Sequence, residues 1–245
     1  MDSLAELKEK LVRACRILYN EGATTEGKGH QSYLLERDKI LIPRHLHSDG
    51  LGLGDVQVDD ILVIDFDGKV LEGKYKEPMG EFYIHTSIFK ARSDVKSIVH
   101  VHPPYLNALA CAGQNILPIC KESLFFRDGI AFYERFPLYI GDKEHGEAAA
   151  KALGNKKALI HRGHGAIIVG RSIEEALLLS LYLERAAKIQ WMASVFGQPK
   201  PLPREEMKRC KWYDVLDDKA LKEGFLYYSK KLEKHETKAG KFNLS

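Results

Sequence analysis

The stretch Ile98-Val99-His100-Val101-His102-Pro103-Pro104 decides how this chain is read. Two histidines one residue apart close an apolar run. Alternate side chains of a β-strand leave on the same face, so His100 and His102 aim two imidazoles at one point. Imidazole is a ligand of zinc and its divalent neighbours, and a strand holds two rings with little freedom left to lose on binding. Taken alone, the pair fits a packed core histidine beside a strand-end histidine as well as it fits a metal site.

Working outward, Ala158-Leu159-Ile160-His161-Arg162-Gly163-His164-Gly165-Ala166-Ile167-Ile168-Val169-Gly170 reads as two buried strands joined by a glycine-rich turn. His164 sits at that turn and is the third candidate ligand; His161 reads as a packing residue. Upstream, Pro78-Met79-Gly80-Glu81-Phe82-Tyr83-Ile84-His85 opens a helix with Phe82, Ile84, Ile88 and Phe89 on a buried side and Glu81 and His85 together at i, i+4. A carboxylate beside three imidazoles can carry a proton or act as an exchangeable ligand. By itself, Glu81 reads better as a solvated first-turn glutamate favoured by the helix dipole.

In this order, Glu81, His100, His102 and His164, with Arg92-Ser93-Asp94-Val95 leading into the strand, resemble the class II (metal-dependent) aldolases and the related adducin head domain. The likeness runs from the first helix to the helix ending near Gly197. It implies a three-layer α/β fold, a central, mainly antiparallel β-sheet covered by helices. It also implies a divalent metal on His100, His102 and His164, zinc first, with manganese, cobalt, nickel or iron as alternatives, and Glu81 as the catalytic carboxylate. A homotetramer with sites between subunits follows from the same resemblance. The reaction stays open, because the family includes aldolases, epimerases, dehydratases, decarboxylases and a non-enzymatic cytoskeletal branch.

The sugar-phosphate members resemble one another in a G-N-x-S turn, a T-P-S-G turn and serines before the glutamate, all donating to phosphate. Here the first turn is Gly29-His30-Gln31-Ser32, the second Ile42-Pro43-Arg44-His45, and Met79-Gly80 precede Glu81. Few of the hydroxyls remain. His30, Ser32, Arg44 and His45 become candidates for holding a carboxylate, which suits arginine's planar donor fork. Glu122 stands where several aldolases place a tyrosine proton donor that reaches across a subunit boundary, so Lys121, Glu122 and Arg127 become candidates for substrate polarity. The expected protein is a metal-dependent lyase of a small, non-phosphorylated hydroxy or oxo acid. Decarboxylation of a hydroxylated aromatic acid through an enediolate or phenolate comes first. Aldol cleavage, a sugar-phosphate dehydratase or epimerase, and a non-catalytic adducin-like module are the alternatives.

Composition agrees with a soluble enzyme. A chain of 245 residues, 44% hydrophobic and 29% charged, can bury one sizeable core, so residues 1–245 read as a single domain with 230–245 a frayed basic tail. No apolar stretch approaches the roughly 20 residues that span a bilayer, and the first residues lack a signal peptide's pattern. A cytoplasmic, membrane-free protein is expected. A net charge of +3 argues against nucleic acid as a partner. Cys15, Cys111, Cys120 and Cys210 lack C-x-x-C spacing, and free buried thiols are expected. Periodicity predicts helices over 4–20, 81–91, 105–112 and 142–153, strands over 40–42 and 61–66, and a hairpin at Asp67-Gly68. Ser172-Ile173-Glu174-Glu175 reads as a capping box opening a helix to Phe196, and Leu221, Phe225 and Leu232 mark a terminal amphipathic helix.

Overall fold

The computed structural model describes residues 2–36, 38–135, 138–211 and 216–242. Helix α1 (Leu4–Asn20) opens on a reciprocal cap between Ser3 and Glu6 and turns Leu11, Ala14, Cys15 and Leu18 inward. Strands β1 (Gly29–Glu36), β2 (Lys39–Pro43), β3 (Ile61–Asp65) and β4 (Val70–Glu72) follow. The β3–β4 hairpin is drawn tight by Asp65, whose carboxylate accepts from the N–H groups of Asp67 and Lys69, and by Gly68 at φ 87°. Next come α2 (Phe82–Ala91), β5 (Ser97–Val101), α3 (Pro104–Cys111), β6 (Ala131–Tyr133) and α4 (Lys143–Leu153). The order ends with β7 (Ala158–His161), β8 (Gly165–Gly170), α5 (Ile173–Val195), α6 (Arg204–Arg209) and α7 (Asp218–Phe242).

The strands make one eight-stranded sheet in the order β4-β3-β2-β1-β5-β8-β7-β6, antiparallel except where β6 meets β7. Alternation along each strand builds two apolar layers. Leu41, Val63, Val99, Val101, Ile160 and Ile168 join the side chains of α1, α5 and α7, whereas Ile40, Ile42, Ile64, Ile98, Leu159 and Ile167 join those of α2 and α4. The result is the three-layer arrangement that the resemblance implied. Among the described residues no helix is long and apolar enough to cross a membrane.

Four local expectations are corrected. Gly29-His30-Gln31-Ser32 is no turn but the start of β1, paired antiparallel with β2 on one side and β5 on the other. Its polar side chains hid it, yet each finds a buried partner; Gln31 Nε2, for example, donates to Ser97 Oγ and to the Ile173 carbonyl. At α5 the Ser172 hydroxyl accepts from Glu175 N–H, but the Glu175 carboxylate turns away from the reciprocal cap to Arg171, taking its backbone N–H and guanidinium. Of the expected basic tail, residues 230–242 continue α7, which is anchored by the buried Tyr228 and Leu232 with Arg13–Glu233 and Arg16–Glu236 pairs to α1 at the surface; residues 243–245 lie outside the described residues. The four cysteines are free, but only Cys15 is buried, while Cys111 is exposed.

Helix α3 follows directly on the H-x-H stretch, and its first N–H groups are satisfied from outside. Glu184 of α5 reaches over so that its two carboxylate oxygens accept from Tyr105 N (2.8 Å) and Leu106 N (3.0 Å). Glu184→Ala leaves both donors unmet, that of Leu106 buried and that of Tyr105 half-buried. It is expected to lower the unfolding free energy by about 1–3 kcal/mol, read from the midpoint of urea denaturation.

Candidate metal centre

The β1–β5 register places His30 directly opposite His100, with ring centroids 5.0 Å apart. His102, one residue past β5, stays on the same face and meets His100 edge to face at 4.9 Å. The 162–164 turn between β7 and β8 brings in the third ring. His164 Nε2 lies 3.1 Å from His100 Nε2 and 3.2 Å from His102 Nε2. Two of these rings are oriented from behind: His100 Nδ1 lies 3.1 Å from the Ala166 carbonyl and His102 Nδ1 3.4 Å from that of Lys28. Each carbonyl can only accept, so the ring proton sits on Nδ1 and a lone pair on each Nε2 faces inward. Lone pairs converging at this spacing repel unless a cation stands between them. The edge of a tetrahedron built on metal–nitrogen bonds of about 2.0 Å is about 3.3 Å, so the donor set fits a divalent ion.

Burial and the neighbouring imidazoles press His100 well below the ordinary histidine value, and mainly burial takes His102 to about 4. Burial also lowers His164 against the opposing pull of Glu81. All three are therefore neutral and able to bind metal at physiological pH.

Glu81 is the residue just before α2, and its side chain makes no helix cap. It turns instead into the cluster, with Oε2 3.5 Å from His100 Nε2 and 3.7 Å from His30 Nε2, and Oε1 3.6 Å from His164 Nε2. Ile140 N–H donates to Oε1 at 3.1 Å. Burial pushes this carboxyl up, but His30, His164 and the Ile140 N–H outweigh it and hold the group below its ordinary value. Glu81 is thus an ionised, oriented acceptor beside the ligand cluster.

Above the cluster opens a cleft of about 310 Å³, whose lining includes His30, Arg44, His45, Met79, Glu81 and Tyr139. Of the residues expected to hold substrate, His30, Arg44 and His45 line this cleft, and Ser32 and Glu122 do not. Ser32 is fully buried behind it, with its hydroxyl 2.6 Å from His85 Nδ1, so it does not reach a ligand. Arg44 lines the wall, but its guanidinium is matched by Asp60 and Asp49 at 2.7 Å each and lies over the Tyr75 ring. Glu122 is buried in the 122–126 turn, 3.9 Å from Arg185, and is not among the residues lining the cleft. His85 does not work beside Glu81 as their helical spacing suggested, since its ring packs under His30. His161 donates from Nε2 to the Arg135 carbonyl and is a packing residue.

Sequence reasoning missed Tyr139. It lies far along the chain from Glu81, in a loop without a motif, and its phenol closes one side of the cleft. A Cβ on residue 80 would overlap the Tyr139 hydroxyl, so Gly80 is what lets the phenol approach. Burial and the Glu81 charge raise the Tyr139 pKa, keeping a neutral O–H donor there. Gly165 has a similar steric role: a Cβ there would lie 2.5 Å from the Val101 carbonyl and 2.8 Å from His102 Cδ2. Gly165→Ala is expected to displace the His102 ring and cut zinc affinity by at least about tenfold, measured by competition with a chromogenic chelator. Because burial lowers all three histidines, protons should compete for the site only below the ordinary histidine range, and zinc is expected to stay bound through pH 6.5 and to be released in acid; metal content after dialysis across the acid range checks this.

Comparisons with known proteins agree with this geometry. Residues 9–191 match the family model described as "Class II Aldolase and Adducin N-terminal domain". The 5-deoxy-D-ribulose 1-phosphate aldolase of Bacillus thuringiensis is 27% identical, covering 84% of this chain and 93% of that protein. The 3,4-dihydroxyphthalate decarboxylase of Arthrobacter keyseri is 28% identical, covering 83% and 85%. Among solved structures, the L-fuculose 1-phosphate aldolase from Glaciozyma antarctica superposes with a TM-score of 0.79 at 25% identity, over 96% of this chain and 91% of that one. Aldolases and decarboxylases both break carbon–carbon bonds, and class II aldolases do so with a metal. With the family model matching residues 9–191, and a histidine cluster that could hold a metal at the floor of its cleft, this chain belongs to the class II aldolase and adducin N-terminal domain family.

Proposed function

We propose that this protein is a metal-dependent lyase that decarboxylates a small, non-phosphorylated hydroxylated aromatic acid. The observation that carries this reading is the wall of the cleft. Residue 80 is a glycine without a hydroxyl, with the Tyr139 phenol lying over it, and the Arg44 charge is already met by Asp49 and Asp60. Neither position offers the donors or net charge that a phosphate dianion needs. Leu46, Met79 and Tyr139 supply flat apolar surface for a ring, with Lys28, His45 and His47 as polar rim groups near which a carboxylate can lie.

A divalent ion on His100, His102 and His164 would supply a Lewis acid for vicinal substrate oxygens. Zinc is the first choice on the nitrogen-only donor set, and manganese, cobalt, nickel or iron remain compatible with it. The chain's own groups do the rest. Glu81 takes or returns a proton at Oε1 or Oε2, held in place by Ile140 N–H. The Tyr139 phenol narrows access for water and stands ready to donate beside Gly80. Decarboxylation leaves a carbanion that must be protonated, and these are the groups within reach of it.

Aldol cleavage is the second reading, favoured by the Tyr139 hydroxyl, since a retro-aldol step also ends with protonation of carbon. A small acid as partner, a homotetramer and a cytoplasmic setting belong to the same proposal. The test is a paired assay of the zinc-loaded protein. Carbon dioxide release from 3,4-dihydroxyphthalate or a related dihydroxybenzoate is expected. Aldehyde release from L-fuculose 1-phosphate or 5-deoxy-D-ribulose 1-phosphate, without carbon dioxide from the acids, would overturn it. In the same assay, His100→Ala and His164→Ala are expected to lose bound metal by elemental analysis. Glu81→Gln is expected to keep its metal and lower kcat by about 10²–10⁴-fold.

A further inference from the structure

Behind the cleft lies a line of three buried polar side chains. His30 Nδ1 is 2.6 Å from His85 Nε2, and His85 Nδ1 is 2.6 Å from Ser32 Oγ. The three residues are 2%, 0% and 0% exposed. At the front end, His30 Nε2 has no hydrogen-bond partner among the described residues and lies 3.7 Å from Glu81 Oε2.

Burial keeps His85 uncharged, so it has one N–H and one lone pair, and the line must run in one of two directions. In the first, Ser32 O–H donates to His85 Nδ1 and His85 Nε2–H donates to His30 Nδ1. His30 then carries its proton on Nε2, facing the Glu81 carboxylate. In the second, His30 Nδ1–H donates to His85 and His85 Nδ1–H donates to Ser32 Oγ. That leaves the Ser32 proton without an acceptor among the described residues and, with the ring carrying one proton, turns the His30 lone pair toward a carboxylate oxygen. An unmet buried donor and two facing acceptors are both unfavourable, so the first direction is preferred.

We propose that the Ser32–His85–His30 line fixes an N–H on His30 Nε2 against the Glu81 carboxylate, which makes His30 a positioning residue for Glu81 and not a substrate contact. Glu81 then accepts from Ile140 N–H at Oε1, while the His30 N–H faces Oε2 from 3.7 Å as an electrostatic neighbour. Together they favour one orientation of the carboxylate, from which it can exchange a proton. Ser32 thus acts on the site from a place where no ligand touches it. The inference rests on the proposed function only in giving Glu81 the proton-moving role.

The first test needs no substrate. In ion-free protein labelled with ¹⁵N at histidine, His30 is expected as the Nε2–H tautomer, its signals assigned by their loss in His30→Gln. A His30 protonated on Nδ1 would overturn the proposal whatever reaction the enzyme catalyses. The second uses the zinc-loaded enzyme and whichever substrate it turns over in the paired assay above. Ser32→Ala and His85→Phe are expected to keep their zinc and to lose kcat about 10-fold or more with KM little changed, and Ser32→Thr to restore it. If His30→Gln raises KM alone while Ser32→Ala is silent, His30 is a substrate contact and the proposal fails. Failure of every candidate substrate would count against the proposed function, and the tautomer would still decide this inference.

Discussion

The pairing of β1 with β5 is the constraint on which the rest of the site depends. It sets His30 against His100 across the two central strands, and the β5–β8 pairing on the other side carries the turn that brings in His164. A slip of one residue in either register would send its imidazole to the opposite apolar layer, under α1 and α5. The apolar residues of β5 prevent such a slip, since Val99 and Val101 are committed to one layer and Ile98 to the other. The hydrophobic pattern that folds the sheet therefore also aims the histidines of the cluster.

Around this frame two histidine rings are oriented from behind by backbone carbonyls. Backbone carbonyls of Ala166 and Lys28 take the outer protons of His100 and His102, and the inner lone pairs converge with His164. Glu81 completes the cluster with a negative charge that burial alone would not tolerate. Its neighbours make the charge affordable in a low-dielectric setting, and they hold it at the floor of a cleft where chemistry can use it.

At the mouth of the cleft, the groups that line the wall are engaged with one another. Tyr139 occupies space that only a glycine at position 80 leaves open, and Arg44 spends its guanidinium on Asp60 and Asp49. Through the Asp49 pair, Arg44 also fastens the 47–49 turn to the end of β2, beside His45 and His47. A residue whose type suggests ligand binding thus serves to shape the wall.

Much of this was legible in the sequence. The alternation in Ile98–His102, the glycine-rich turn at His164 and Glu81 at the head of a helix follow strand and helix periods, which depend on local geometry, and the family pattern rests on the same residues. What the sequence could not disclose was β1, because His30, Gln31 and Ser32 look like loop residues until His85, Ser97 and Ile173 are seen to satisfy them. Nor could it disclose Tyr139, the internal pairing of Arg44, or the distance of Ser32 and Glu122 from the cleft. Periodicity reports which face of an element is buried. Which buried polar group meets which is set by contacts between residues far apart in the chain, and those exist only once the sheet and its helices have packed.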